Sequence, residues 1–204
     1  MKHLTVLIFV FMGIISNAQN DIITKEEFKE IRKSLPSGVE YRYDPMDGKI
    51  WVNQKKVLAG NGGSYQSSLE CYYQIFKLEG KLHLGKPRIV IKYVSSNWMF
   101  MDEIMFMDGK LKDLNNGIGD KLIIEFDKND VDRKAHGGSI SETIDKILSS
   151  SEIEYFESII KKDNLCRIKF SGEGKYSIHV FMSKEKEPIK IFFDNYNAAK
   201  EKIK

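Results

Sequence analysis

Four methionines are spaced for soft-metal chemistry. Met99, Met101, Met105 and Met107 recur at even intervals within the run Trp98 to Met107, so a strand there sets all four on one face. Thioethers favour Cu(I), and M-x-M pairs on a strand are one way to hold that ion. The opposite face of the same run carries Trp98, Phe100, Ile104 and Phe106. A strand apolar on both faces is also what a central buried strand looks like, with methionine filling gaps in the core. That second reading needs no metal.

The segment His136-Gly137-Gly138-Ser139 sets an imidazole beside two glycines and a hydroxyl. With Asp132 or Glu142 as carboxylate partner, His136 has the makings of the base in a small hydrolase. Yet no G-x-S-x-G elbow surrounds Ser139 and no Cys–His pairing is visible, so Ser139 reads equally well as the N-cap of a helix. Asp127, Asn129, Asp130 and Asp132 offer oxygen ligands for Ca²⁺, but Val131 and Asp132 break the EF-hand order and leave a solvated acidic turn. His83 and His179 each stand alone on a strand-like segment, without the second histidine that zinc binding requires. No cofactor is expected.

Aromatic residues crowd the first half, and an exposed aromatic row binds sugars or peptides by stacking and apolar contact. Tyr41, Tyr43 and Trp51, on one short hairpin, are the candidate binding residues. Cys71 and Cys166 are the only cysteines, each on the apolar phase of a strand-like run. They form either a disulfide, worth on the order of 4 kcal/mol for a loop of about a hundred residues, or two unpaired buried thiols.

The elements that must position these groups are readable from period and punctuation. Thr24 with Glu27 is a capping box, which predicts a helix to about Ser34, stopped by Pro36 and Gly38. Val39, Tyr41 and Tyr43 alternate with polar residues, Asp44 to Gly48 turns the chain, and Ile50 and Val52 alternate again, a β-hairpin. Residues 59–67 read as a Gly-rich linker, dividing an N-terminal unit (19–58) from a main domain (68–204) unless the two form one domain. From Ser68 to Phe126 the period is two, predicting consecutive antiparallel strands, with Trp98 to Met107 among them. A helix is expected from Ser139 or Ser141 with Ile144, Ile147 and Leu148 on one side, and a second capping box at Ser151 and Glu154 continues a stripe to about Lys162. Leu165 to Phe170 and Lys175 to Met182 form a last hairpin. Ile189, Phe192, Phe193, Tyr196 and Ala199 then fall at helical spacing, in a helix starting around Glu187 because Pro188 is tolerated only in a first turn. The expected class is α+β: a mostly antiparallel sheet with helices packed on one face, ending in a β-hairpin and a C-terminal amphipathic helix.

Met1 to Ala18 read as a secretory signal peptide. Lys2 precedes the apolar run Leu4 to Ile15, and Ser16 and Ala18 place small residues before a cut ahead of Gln19. The run is too short to span a bilayer and no comparable stretch follows, so the mature chain carries no integral membrane segment. Periplasmic or extracellular residence follows. The 32 basic and 29 acidic residues give a net charge of +3, one less without Lys2, and the two signs are interspersed. That argues against nucleic acid as a partner. Protein, glycan and small molecule all stay open, and the expected role is non-enzymatic binding, with the His136 hydrolase and a Cu(I) site on the methionine face as alternatives.

Overall fold

The computed structural model describes residues 21–56, 58–61, 65–109, 118–161, 165–173, 175–181 and 187–203. The expected signal peptide at 1–18, the glycines at 62 and 63, the turn at 115–117, and the side chains of Cys166 and His179 lie outside the described residues.

Helix α1 (Lys25–Ser34) starts on the expected capping box: Thr24 N–H donates to Glu27 Oε2 at 2.8 Å, and Glu27 N–H to Thr24 Oγ1 at 3.3 Å. Strands β1 (Val39–Asp44) and β2 (Lys49–Gln54) form the expected hairpin. The Asp44 carboxylate accepts from the backbone of Met46 and Asp47 in the turn. Strand β3 (Leu58–Asn61) occupies the stretch read as a linker, and β4 (Tyr65–Leu78) begins inside it. The reason is the length of β4. Fourteen residues span about 46 Å at the usual strand rise, enough to pair with β2 and β3 along one edge and with β5 (Lys81–Leu84) and β6 (Arg88–Ser95) along the other. The N-terminal hairpin is thus hydrogen-bonded into the main sheet.

Strands β7 (Glu103–Gly109) and β8 (Asp120–Glu125) belong to a second sheet. Strands β9 (Asp132–His136) and β10 (Ser139–Ile147) return to the first. Helix α2 (Ser150–Lys161), strands β11 (Leu165–Gly172) and β12 (Lys175–Phe181), and helix α3 (Glu187–Lys202) complete the chain. The eight-stranded sheet runs β1-β2-β4-β6-β10-β9 with β3 and β5 on β4, and the four-stranded sheet runs β12-β11-β7-β8. Every pairing is antiparallel, and the α+β class expected from the sequence is the one observed.

Three local expectations are corrected. Residues 139–147 are strand, not helix: Gly137 and Gly138, both at positive φ, close a two-residue hairpin between His136 and Ser139. Ile147, assigned to a buried helical stripe, is 52% exposed. The second capping box uses Ser149 and Glu152, with Ser149 N–H on Glu152 Oε2 at 2.6 Å and Glu152 N–H on Ser149 Oγ at 3.3 Å. Finally, β7 starts at Glu103 rather than Trp98, because Phe100 takes φ +54 and breaks the extended run.

The core lies between the inner face of the large sheet, the small sheet and helices α2 and α3. Tyr93 meets Phe170 across the two sheets at 5.6 Å, and Phe106, Phe156, Phe193, Phe192 and Tyr73 form a chain of ring contacts through the middle. Each such ring contributes about 1.5–3 kcal/mol by leaving water. Helix α3 buries Ile189, Phe192, Phe193, Tyr196 and Ala199 as its spacing predicted, and buries Asn195 with them. Among the described residues no helix is long and apolar enough to cross a membrane.

Candidate functional site

Because side chains alternate across a strand, the residues between the core positions of the large sheet all face outward together. Trp51 on β2, Tyr72 and Gln74 on β4, Arg88 on β6, and Asp145 and Ile147 on β10 share this face through the pairings Trp51 with Gln74, Tyr72 with Arg88, and Arg88 with Ile147. Their polar groups are organised around one carboxylate. Tyr72 Oη donates to Asp145 Oδ2 at 2.7 Å, and Arg88 donates from Nε to Asp145 Oδ1 at 2.8 Å and from Nη2 to the Asp145 carbonyl at 3.3 Å.

The rings complete the arrangement. The Arg88 guanidinium lies 5.8 Å from the Tyr72 ring centre, and the Trp51 ring sits 5.3 Å from Tyr72 at a 41° tilt. Burial, then the hydrogen bond and charge of Asp145, push the Tyr72 hydroxyl up to about 12, so it stays a donor at any physiological pH. The hydrogen bond to Asp145 likewise holds Arg88 above its ordinary value and firmly charged. Beside the network opens a cleft of about 210 Å³ lined by Gln74, Gly85, Lys86, Arg88 and Ile147. The ensemble offers a pair of tilted aromatic rings, fixed donors and acceptors, and an exposed isoleucine edge.

Of the three aromatic candidates, only Trp51 is here. Tyr41 and Tyr43 pair with Val52 and Ile50, which point into the core, so both lie on the opposite face from Trp51. Tyr41 Oη donates to the Pro36 carbonyl at 2.9 Å and accepts from Asn195 Nδ2 at 2.6 Å, while Tyr43 Oη donates to the Ile23 carbonyl at 2.7 Å and stacks on Phe28. Both hydroxyls are thus engaged within the fold.

The hydrolase candidates do not meet. His136 is exposed at the β9–β10 turn, and Asp132 is exposed and bound by Lys134 at 2.6 Å. Glu142 is 1% exposed and fully engaged by Arg133 and by the backbone of Met99 and Met101. Ser139 is the first residue of β10 rather than an N-cap, its hydroxyl donating to the His136 carbonyl.

The methionines do not share one strand face either. Met99 and Met101 are buried in the corner before β7, whereas Met105 and Met107 are on the strand itself, the first half-buried and the second buried. Among the described residues no group of three or more His, Cys, Asp and Glu side chains converges to hold a metal. Asp127 caps a single 3₁₀ turn by accepting from Asn129 N–H, and His83 stacks on Phe76. Cys71 is a free, fully buried thiol on β4 of the large sheet, as in the second of the two readings of the cysteines, and the Cys166 side chain lies outside the described residues. Burial pushes that thiol well above its ordinary pKa and keeps it unreactive.

Arg88 and Asp145 escaped sequence reasoning because 57 residues separate them and only the β6–β10 register joins them. One signal was available: Tyr72 stands in the polar phase of β4, between the core positions Cys71 and Tyr73. In comparison with known proteins, the chain matches no family model, no curated protein and no solved structure.

Proposed function

We propose that this is an exported, non-enzymatic binding domain of the bacterial cell envelope that receives a glycan on the open face of its eight-stranded sheet. The observation that carries the reading is the Trp51–Tyr72 ring pair braced by the Arg88–Asp145 ion pair at the rim of an open cleft. Sugars are amphipathic, with an apolar C–H face that suits tilted rings and hydroxyls that suit a row of fixed donors and acceptors. Arg88, Asp145 and Gln74 supply that row on rigid strands, so little ordering entropy is spent on binding. Export rests on the leader-like Met1 to Ala18.

The test is calorimetric titration of the purified chain with a panel of neutral oligosaccharides and soluble peptidoglycan fragments. The expected result is saturable binding that Trp51→Ala weakens at least tenfold and Tyr41→Phe leaves unchanged. A panel without binding, or binding indifferent to Trp51→Ala, overturns the reading. Mass measurement of the chain recovered from the envelope of an expressing bacterium should give a first residue of Gln19.

A further inference from the structure

Strand β8 is the end strand of the small sheet, and its outer edge, which pairs with no strand among the described residues, is complementary to itself. Phe126 N–H donates to the Asp102 carbonyl at 3.2 Å, which continues the β7–β8 register in which Phe106 faces Leu122 and Ile104 faces Ile124. In an antiparallel pair the residues that exchange hydrogen bonds alternate with those whose N–H and C=O point the other way. Even-numbered residues of β8 therefore bond to β7, and Lys121, Ile123 and Glu125 aim their backbone groups at the open edge. The same three side chains are exposed on the outer face, Ile123 at 47%.

We infer that two copies of the chain associate through β8 as an antiparallel pair centred on Ile123. That register sets Ile123 against Ile123 of the second copy, and Lys121 against Glu125 twice, once on each side of the two-fold axis. Every open backbone group at these three positions finds a partner, and the small sheets merge into one of eight strands. Other registers are inferior. A centre at 122 or 124 sets a charge against Ile123, and a centre at 121 or 125 sets Lys121 or Glu125 against itself.

Charge within the single chain points the same way. Glu125 lies directly across from Glu103 on β7, a like-charge pair, and neither Glu125 nor Lys121 makes an ion pair among the described residues. An arriving Lys121 supplies the cation this spot lacks. Edge strands commonly carry charges that repel further pairing. Here the two signs are placed so that one partner in one register is accepted. A six-residue edge buries less than a standard interface, so the dimer is a weak, concentration-dependent one.

Sedimentation equilibrium of the full exported chain over a concentration series tests this, with circular dichroism to verify folding of each variant. The native chain should show a monomer–dimer equilibrium. Lys121→Glu and Glu125→Lys should each weaken it by at least about tenfold, the loss of about 1.4 kcal/mol. Mixing the two variants in equal amounts should restore association, because each then offers the other an opposite charge at both positions. A native chain that stays monomeric throughout, a dimer indifferent to both substitutions, or a mixture no tighter than the separate variants overturns the inference. The outcome is independent of glycan binding, which lies on the other sheet.

Discussion

The Glu142 carboxylate, 1% exposed, accepts from Arg133 Nε at 3.1 Å and holds the corner of the chain with what remains of its capacity. Its Oε2 takes the Met99 N–H at 2.9 Å and its Oε1 the Met101 N–H at 3.0 Å, on either side of Phe100 at φ +54. Arg133 closes the arrangement by donating from Nη2 to the Met101 carbonyl at 3.4 Å and lying over the Phe100 ring. The chain crosses here from the large sheet to the small one, and a side chain replaces the missing ladder. Glu142→Ala leaves two buried N–H groups without their acceptor and removes the carboxylate from Arg133, and should cost about 3–5 kcal/mol, read as a lowered urea midpoint at unchanged slope. Arg133→Met should cost less, since Arg133 is partly exposed and the backbone donors stay bonded.

Gly172 permits the same corner to pack. A Cβ there would sit 2.6 Å from the Met99 carbonyl oxygen and closer still to that of Phe100, both of them backbone atoms that cannot swing aside. Gly172→Ala should destabilise by about 1–3 kcal/mol through overpacking. Thermal unfolding of this variant beside Gly85→Ala, whose Cβ would come no closer than 3.3 Å to the Gln74 carbonyl oxygen and whose φ is not in the left-handed region, separates crowding from the general loss of a glycine.

Asn195 ties helix α3 to the rest of the core. Wholly buried, it accepts from Tyr73 Oη at 2.5 Å and donates from Nδ2 to the Pro36 carbonyl at 2.8 Å and to Tyr41 Oη at 2.6 Å. Asn195→Leu orphans buried polar groups at about 1–3 kcal/mol each, whereas Tyr73→Phe removes one donor at about 1 kcal/mol. A double-mutant cycle on the two should give a coupling energy well away from zero.

Stability should fall in acid through two capping glutamates. The hydrogen bond from Lys77, then that from Thr24, lowers the Glu27 carboxyl. Burial pushes Glu152 up, but the Ser149 backbone N–H and Lys146 outweigh it and the net shift is downward. A carboxyl depressed in the folded state stabilises above its unfolded value of about 4.3, and that contribution is lost as pH falls through the lower folded value. The urea midpoint should thus drop below about pH 4, and drop less steeply in the Glu27→Gln, Glu152→Gln double variant.

What was legible in the sequence is what local chemistry decides. The Thr24 box, the β1–β2 hairpin and the buried stripe of α3 all depend on neighbours within a few residues. Segment 139–147 misled because Ile144, Ile147 and Leu148 happen to fall at helical spacing, while the stronger sign, Gly137-Gly138 between two alternating runs, is a hairpin sign. Residues 59–67 misled because glycines stand for a linker only when no long strand lies opposite. Trp51 was legible as an aromatic of the β1–β2 hairpin, but the strand alternation sends its neighbours Tyr41 and Tyr43 to the opposite face. Arg88 and Asp145 depended on a register between strands distant in the chain, which no single segment encodes.

The Tyr73–Asn195 hydrogen bond joins positions 122 residues apart. Until residue 195 has been synthesised, the inner face of β4 has no lid, and Tyr73 lacks Asn195 and the Phe192 and Tyr196 rings it packs on. Such non-local closure makes folding slow. A nascent chain of this design stays open for most of its synthesis, and its packing is a late event.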